Sequence, residues 1–225
     1  MRRLVLLVLV LGLAACADAP APQDEAPPPE AAPVEAALTP EAAAGQALGV
    51  GARAPDFSLP DATGRTVRLS DLLAEGPVVL TFYRGEWCPY CNTQLRDYQA
   101  ALDEVRAEGA RLLAVSPQTP DGSLTVRDRH ALAFPVLSDV GNRVSREYGL
   151  VFEVDDETRR RYQAVGLDLA AVNGTDAWEL PVPATYVIDT DGRVRAAFVE
   201  SDYTQRASPS DVLAALAALT PATRS

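Results

Sequence analysis

The sequence predicts an α/β fold in which a mixed central β-sheet is flanked by helices. Three observations carry that expectation. Val78-Val79-Leu80-Thr81-Phe82 is a continuous apolar run, as a strand covered on both faces requires. A few residues on, beyond Cys88-Pro89-Tyr90-Cys91, the pattern changes to helical spacing, with Leu95, Tyr98, Leu102 and Val105 on one face. Near the C-terminus, Thr185-Tyr186-Val187-Ile188 is followed by the turn residues Thr190-Asp191-Gly192 and by a returning segment, Arg193 to Val199. Strand–helix–strand first and hairpin–helix last requires both parallel and antiparallel neighbours.

The folded domain is expected over residues 49–221. It opens with a hairpin: Asp56-Phe57-Ser58-Leu59 and Thr66-Val67-Arg68-Leu69 alternate, and Asp61-Ala62-Thr63-Gly64 joins them. Ser70 reads as the cap of a short helical turn. After the first buried strand and its helix, Gly109 stops the helix and Arg111 to Val115 is a second central strand. Phe134-Pro135-Val136-Leu137 is a third, short strand before a helix ending at Tyr148-Gly149. Asp155 to Trp178 reads as a charged helix and a loop inserted near the functional end. Ser208-Pro209-Ser210-Asp211 supplies a cap, a first-turn proline and an early acid for a last, Ala/Leu-rich helix to about Leu219.

The N-terminus has a different character. Arg2-Arg3 and the apolar stretch Leu4 to Leu13 make a charged n-region and an h-region too short to span a bilayer. Leu13-Ala14-Ala15-Cys16 resembles a bacterial lipobox, which implies cleavage of a signal peptide of residues 1–15 and a lipid anchor on Cys16. Cys16 is then unavailable for redox work. The alternative is an ordinary signal peptide with an incidental cysteine. Residues 16–48 are rich in Ala, Pro and acid, without an aromatic residue, and read as a lipid-anchored, disordered linker. The expected location is the cell envelope, facing the periplasm; Ala17 rather than Asp after the anchor favours the outer membrane.

At 225 residues the chain has room for one medium domain plus these appendages. Its net charge of −11 leaves no basic face for phosphates, so nucleic acid is not expected as a partner. His130 is the only histidine and there is no second pair of cysteines, so neither a metal site nor a cofactor is expected.

Cys88 and Cys91 carry the chemistry. A strand that stops at a Cys-x-x-Cys and continues as a helix is how a thioredoxin-like fold presents a redox-active thiol. The first cysteine sits at the helix N-terminus, where free N–H groups and the helix dipole favour a thiolate. The second, one turn on, can close a disulfide with it. Pro89 suits the first helical turn, where its missing N–H is no loss. Arg84, four residues ahead, either lowers the Cys88 pKa and polarises an incoming oxygen, or is a surface charge at a strand end. Glu86 is a proton relay or a solvated carboxylate. Arg206 reaches the site from the last loop or stays at the surface.

From about Gly51 to Leu219 the chain resembles the alkyl hydroperoxide reductase/thiol-specific antioxidant (AhpC/TSA) family, the peroxiredoxins and their thioredoxin-like relatives. The matching segments are Ala54-Pro55-Asp56-Phe57, Phe82-Tyr83, Phe134 to Asp139, Tyr148-Gly149 and Pro183-Ala184-Thr185-Tyr186-Val187-Ile188-Asp189. Trp87 resembles the residue before the thioredoxin cysteines, and Pro89-Tyr90 is the glutaredoxin dipeptide. The resemblance implies a thioredoxin-like fold and an antioxidant thiol oxidoreductase. In it Cys88 is the nucleophile, Cys91 the resolving cysteine, and Trp87, Arg84 and Pro183 support the site. It also implies a cis-proline at Pro183, with Pro181 as competitor. The implied substrates are a hydroperoxide or a protein disulfide, and the implied reductant is a thioredoxin-like dithiol.

One departure stands out. Peroxiredoxins carry Pro-x-x-x-Thr/Ser-x-x-Cys ahead of the nucleophile, and here those two positions are Thr81 and Gly85. That loop favours disulfide exchange, whereas the whole-domain resemblance favours peroxide reduction. A rival of another class is a non-catalytic adaptor that handles copper or an apocytochrome.

Overall fold

The computed structural model describes residues 38–219, so the expected signal peptide, Cys16 and most of the linker lie outside the described residues. Residues 78–82 form β3, the middle of a five-stranded sheet of order β5-β4-β3-β8-β9. β4 (Arg111–Ser116) and β5 (Val136–Ser138) run parallel to it in succession. β8 (Ala184–Ile188) pairs antiparallel on its other side, and β9 (Val194–Val199) pairs antiparallel with β8. The sheet is therefore mixed, as the order of elements predicted.

Alternation along β3 explains its unbroken apolar run. Val78, Leu80 and Phe82 enter one core layer, and Val79 enters the other. The first layer includes Phe57, Leu59, Leu69, Tyr148 and Tyr186. It is covered by the hairpin β1–β2 (Ser58–Pro60, Thr66–Arg68) and the short helices α2 (Leu69–Leu73) and α6 (Arg143–Glu147). Phe82, Tyr148 and Tyr186 pack as a triad, with ring centroids 5.0 to 6.2 Å apart.

The second layer lies under α3 (Pro89–Ala100), α4 (Leu102–Ala107), α5 (Pro120–Arg129) and α9 (Pro209–Ala217). Leu95, Tyr98, Leu102 and Val105 are all buried there, as their spacing predicted. The helix they share is divided at Ala101, yet Ala101 N–H still donates to Asp97 and Val105 N–H to Ala101, both at 3.1 Å. Gly109, at φ +76°, ends it. Ser208 and Asp211 form the expected capping box at the start of α9.

Three local expectations are corrected. Ser70 lies inside α2 rather than capping it; its N–H is satisfied by Asp56, fourteen residues earlier, at 2.9 Å. All peptide bonds among the described residues are trans, including those preceding Pro181 and Pro183. Pro181 is paired within the two-stranded sheet β6–β7 (Val151–Glu153, Glu179–Pro181), and Val182 N–H donates to Leu150 at 2.8 Å. The chain thus runs extended from β7 into β8, a path that needs no reversal at Pro183.

The third correction concerns the linker, whose last residues belong to the fold. Residues 40–46 form α1, capped by the Thr39 hydroxyl, and Ala43 is fully buried. Leu48 N–H donates to Tyr148 (3.2 Å), and Glu153 N–H donates to Leu38 (3.1 Å). Gly149, at φ +72°, makes the seat: a Cβ there would stand 2.5 Å from the Gln46 carbonyl oxygen.

A chain beginning at residue 49 should therefore melt below one beginning at residue 38. The expected difference is roughly 4–8 °C, equivalent to about 2 kcal/mol for two backbone hydrogen bonds and a buried methyl. Thermal unfolding followed by circular dichroism checks this, and equal midpoints would show that α1 adds nothing.

Candidate active site

The site begins where β3 ends. Tyr83 N–H still donates to Val115 at 2.9 Å, and the chain then turns through Arg84-Gly85-Glu86-Trp87 into α3. Gly85 stands at φ +149°, and a Cβ there would overlap the Trp87 indole. The turn is held by Cys88 N–H to Gly85 (3.1 Å), Asn92 Nδ2 to Glu86 carbonyl (2.7 Å), and Glu86 N–H to Gln118 Oε1 (2.7 Å). Gln118, two residues past β4, carries no motif and was not among the sequence candidates.

Cys88 is the N-cap of α3 with Pro89 at the first helical position, and Cys91 lies one turn on. Both are reduced and buried. The hydrogen bond shared with Cys91, with burial behind it, holds the Cys88 thiol well above its usual pKa. Burial also pushes Cys91 upward, but the same hydrogen bond, the Arg206 charge and the Arg84 backbone N–H outweigh it and bring Cys91 down to about 6. The helix terminus alone argues for a Cys88 thiolate. The Arg206 guanidinium instead lies on the Cys91 side of the pair and favours thiolate character there.

Arg206 does reach the site: its Nη2 is 3.6 Å from Cys91 Sγ. A buried chain of hydroxyls beneath the thiols places it. Thr81 of β3 and Thr185 of β8 share a hydrogen bond of 3.0 Å, Thr185 bonds Tyr98 of α3 at 3.1 Å, and Tyr98 Oη donates to the Ala207 carbonyl at 3.1 Å. Gln94 Nε2 donates to Tyr98 at 3.2 Å.

Arg84 is not a surface charge. It is 4% exposed, and no carboxylate pairs with it among the described residues. Its Nη2 donates to Tyr162 Oη, and its guanidinium lies over the rings of Tyr203 (4.3 Å) and Trp87 (5.0 Å). Its Nε is buried without an acceptor. Tyr162 comes from α7 (Asp156–Ala164), so the charged insertion borders the site as expected. Trp87 packs against Tyr162 at 5.3 Å. Arg84, Tyr162, Tyr203, Phe152 and Pro183 line a cavity of about 320 Å³. Glu86 ion-pairs with Arg129 at 3.2 Å and does not line that cavity.

Sequence reasoning missed Tyr162, Tyr203, Thr185, Tyr98 and Gln118. Tyr98 and Thr185 carried signals, their places in the helical repeat and the apolar strand, and those signals marked them as structural.

The family model for the AhpC/TSA family matches residues 50–197. A Mycobacterium tuberculosis protein classed as a peroxiredoxin is 31% identical over 144 residues, covering 64% of this chain and 80% of that one. The chloroplastic peroxiredoxin Q of Oryza sativa subsp. japonica is 30% identical over 145 residues, 64% of this chain and 56% of its own. Among solved structures, peroxidoxin BcpB from Mycobacterium tuberculosis matches with a TM-score of 0.61 at 25% identity, over 77% of this chain and 99% of its own. Xylella fastidiosa PrxQ shares the fold, with a TM-score of 0.61 at 16% identity over 76% and 97%.

Because the first proton leaves the pair near 6 rather than 9, thiolate is present above that pH and lost as pH falls through it. Thiolate absorbance at 240 nm, which does not depend on reagent access, should rise through about pH 6 and then level. A midpoint near 9 would mean that the site does not stabilise a thiolate.

Proposed function

The chain belongs to the AhpC/TSA family, and on that premise we propose a thiol peroxidase in which Cys88 attacks a hydroperoxide and Cys91 resolves the product. Family membership makes it a thiol-dependent oxidoreductase of the peroxiredoxin-like group. The observation that carries the finer reading is the reduced, buried thiol pair beside a buried arginine with no carboxylate partner.

The steps follow from that arrangement. The Cys88 proton passes along the shared hydrogen bond to Cys91, and the Cys88 sulfur attacks the distal peroxide oxygen. The O–O bond breaks, the alkoxide takes the proton from Cys91, and Cys88 is left as a sulfenic acid. The Cys91 thiolate then attacks the Cys88 sulfur, and hydroxide leaves and is protonated to water. An external dithiol reduces the resulting disulfide, in the manner of a thioredoxin-like donor. Arg84 supplies the guanidinium that polarises the peroxide oxygens, the role that Thr or Ser fills in the peroxiredoxin motif. Trp87 and Pro183 shape the approach.

A second reading, thiol–disulfide exchange on protein substrates, is favoured by the Cys-Pro-Tyr-Cys sequence and by Gly85 standing in the hydroxyl position. The place of work in this proposal is the cell envelope, with the chain held by lipid on Cys16 and facing the periplasm. That part rests on the sequence alone.

The test is peroxide consumption by the full chain with a thioredoxin system, run beside insulin-disulfide reduction. Cys88→Ser should lose peroxide turnover by about 10³-fold or more. Cys91→Ser should be oxidised once and stop, with a sulfenic acid trapped by dimedone. Insulin reduction without peroxide turnover would favour the second reading, and silence in both would favour the adaptor.

A further inference from the structure

We propose that Arg206 is a catalytic residue of the reductive half-reaction. Its guanidinium holds the negative charge that collects on the Cys91 sulfur when a donor thiolate attacks Cys88. This role rests on the reading that the two cysteines form a disulfide during turnover.

The step balances as follows. The donor sulfur forms a bond to the Cys88 sulfur, the Cys88–Cys91 bond breaks, and its electron pair leaves with Cys91 as thiolate. A second donor thiolate attacks the donor sulfur of the mixed disulfide, and Cys88 departs and is protonated. The donor is oxidised to its disulfide and the enzyme returns to the dithiol. Exchange of this kind accelerates as the leaving thiol becomes more acidic.

The charge on Cys91 needs a partner because water cannot solvate it there: Cys91 is fully buried, and an unpaired buried charge is strongly disfavoured. Around the sulfur are Cys88 on the same helix, Tyr83 at the end of β3, the Arg84 N–H and Arg206. Tyr83 is buried, and burial keeps its phenol protonated, so among these groups Arg206 is the cationic side chain that touches the sulfur.

Arg206 is also built into place. Its neighbour Ala207 is fixed by Tyr98, and its own Nη1 donates to the Gln205 carbonyl at 2.8 Å. The loop ahead closes through Gln205 N–H to the Asp202 carbonyl, with the Asp202 carboxylate taken by Thr204. No carboxylate forms an ion pair with Arg206 among the described residues, and its Nε is buried without an acceptor. An arginine held against a buried sulfur and ion-paired to no carboxylate can serve as that sulfur's counter-ion. The downward pull on the Cys91 pKa agrees with this geometry.

The experiment uses the full chain, wild type, Arg206→Met and Arg206→Lys. Each is oxidised with one equivalent of hydrogen peroxide and then followed in two ways: the redox equilibrium against glutathione buffers at pH 7, and the rate of reduction by dithiothreitol. Loss of the charge should shift the equilibrium toward the disulfide by about tenfold, which is about 30 mV more negative, and slow reduction by a similar factor. Arg206→Lys, which keeps the charge, should recover most of both. Arg206→Gln, a neutral donor, carries the same test should the methionine variant fail to fold. A neutral variant with a lowered melting temperature but unchanged equilibrium and rate overturns the role and leaves a structural one. A wild-type protein that forms no Cys88–Cys91 disulfide overturns the underlying reading, and this role with it.

Discussion

The thiol site depends on β3 being paired on both edges and buried on both faces. Because β4 and β8 flank it, its last residues cannot shift along the sheet without breaking two ladders together. Thr81 is the single polar residue in its run, and it faces Thr185 directly across the β3–β8 register. That hydroxyl pair begins the chain of hydrogen bonds through Tyr98 to Ala207. One strand thus fixes both the helix that carries the cysteines and the loop that carries Arg206. A buried polar chain of this kind is stable only when each member is satisfied, so the parts of the site are coupled.

The central architecture was legible because it is written in patterns that burial enforces. The apolar run of β3, the repeat from Leu95 to Val105, and the Thr190-Asp191-Gly192 turn each answer to a local rule. What escaped was decided at a distance. α1 looks like tether because Ala and Pro offer little to bury; its seat is made a hundred residues on, by Gly149 and the Tyr148 carbonyl. Ser70 has the right chemistry for a cap, but Asp56, fourteen residues earlier, accepts its N–H and it lies inside the helix instead. The trans link before Pro183 follows from β6 and β7, a pairing whose partners are nearly thirty residues apart in sequence.

The same distinction divides the site residues. Cys88 and Cys91 were found from their spacing, and Trp87, just ahead of them, from the family resemblance. Arg84 was found by position but not by environment: it is enclosed by Trp87, Tyr162 and Tyr203, two of which arrive from separate insertions and loops. Aromatic faces accommodate a guanidinium without neutralising it, whereas a carboxylate would do so. The arginine therefore remains a usable positive charge in a place from which water is largely excluded.

That outcome is notable in a chain whose net charge is −11. The resolution lies in where the acids are committed. Asp155, Asp168 and Asp211 bind backbone N–H groups at the starts of helices, and Asp202 does so in the loop before α9. Asp61 closes the first turn with Thr63 and Arg65, and buried Asp139 takes Val144 and Ser145. A carboxylate held by N–H donors in its own loop cannot swing toward a distant guanidinium. Local capping therefore leaves Arg84 and Arg206 without an ion-paired carboxylate among the described residues, inside an acidic protein. Bulk composition bounds what the surface attracts at long range. The sign of the field at a buried thiol is set by which acids have already been used, residue by residue, to finish turns and helices.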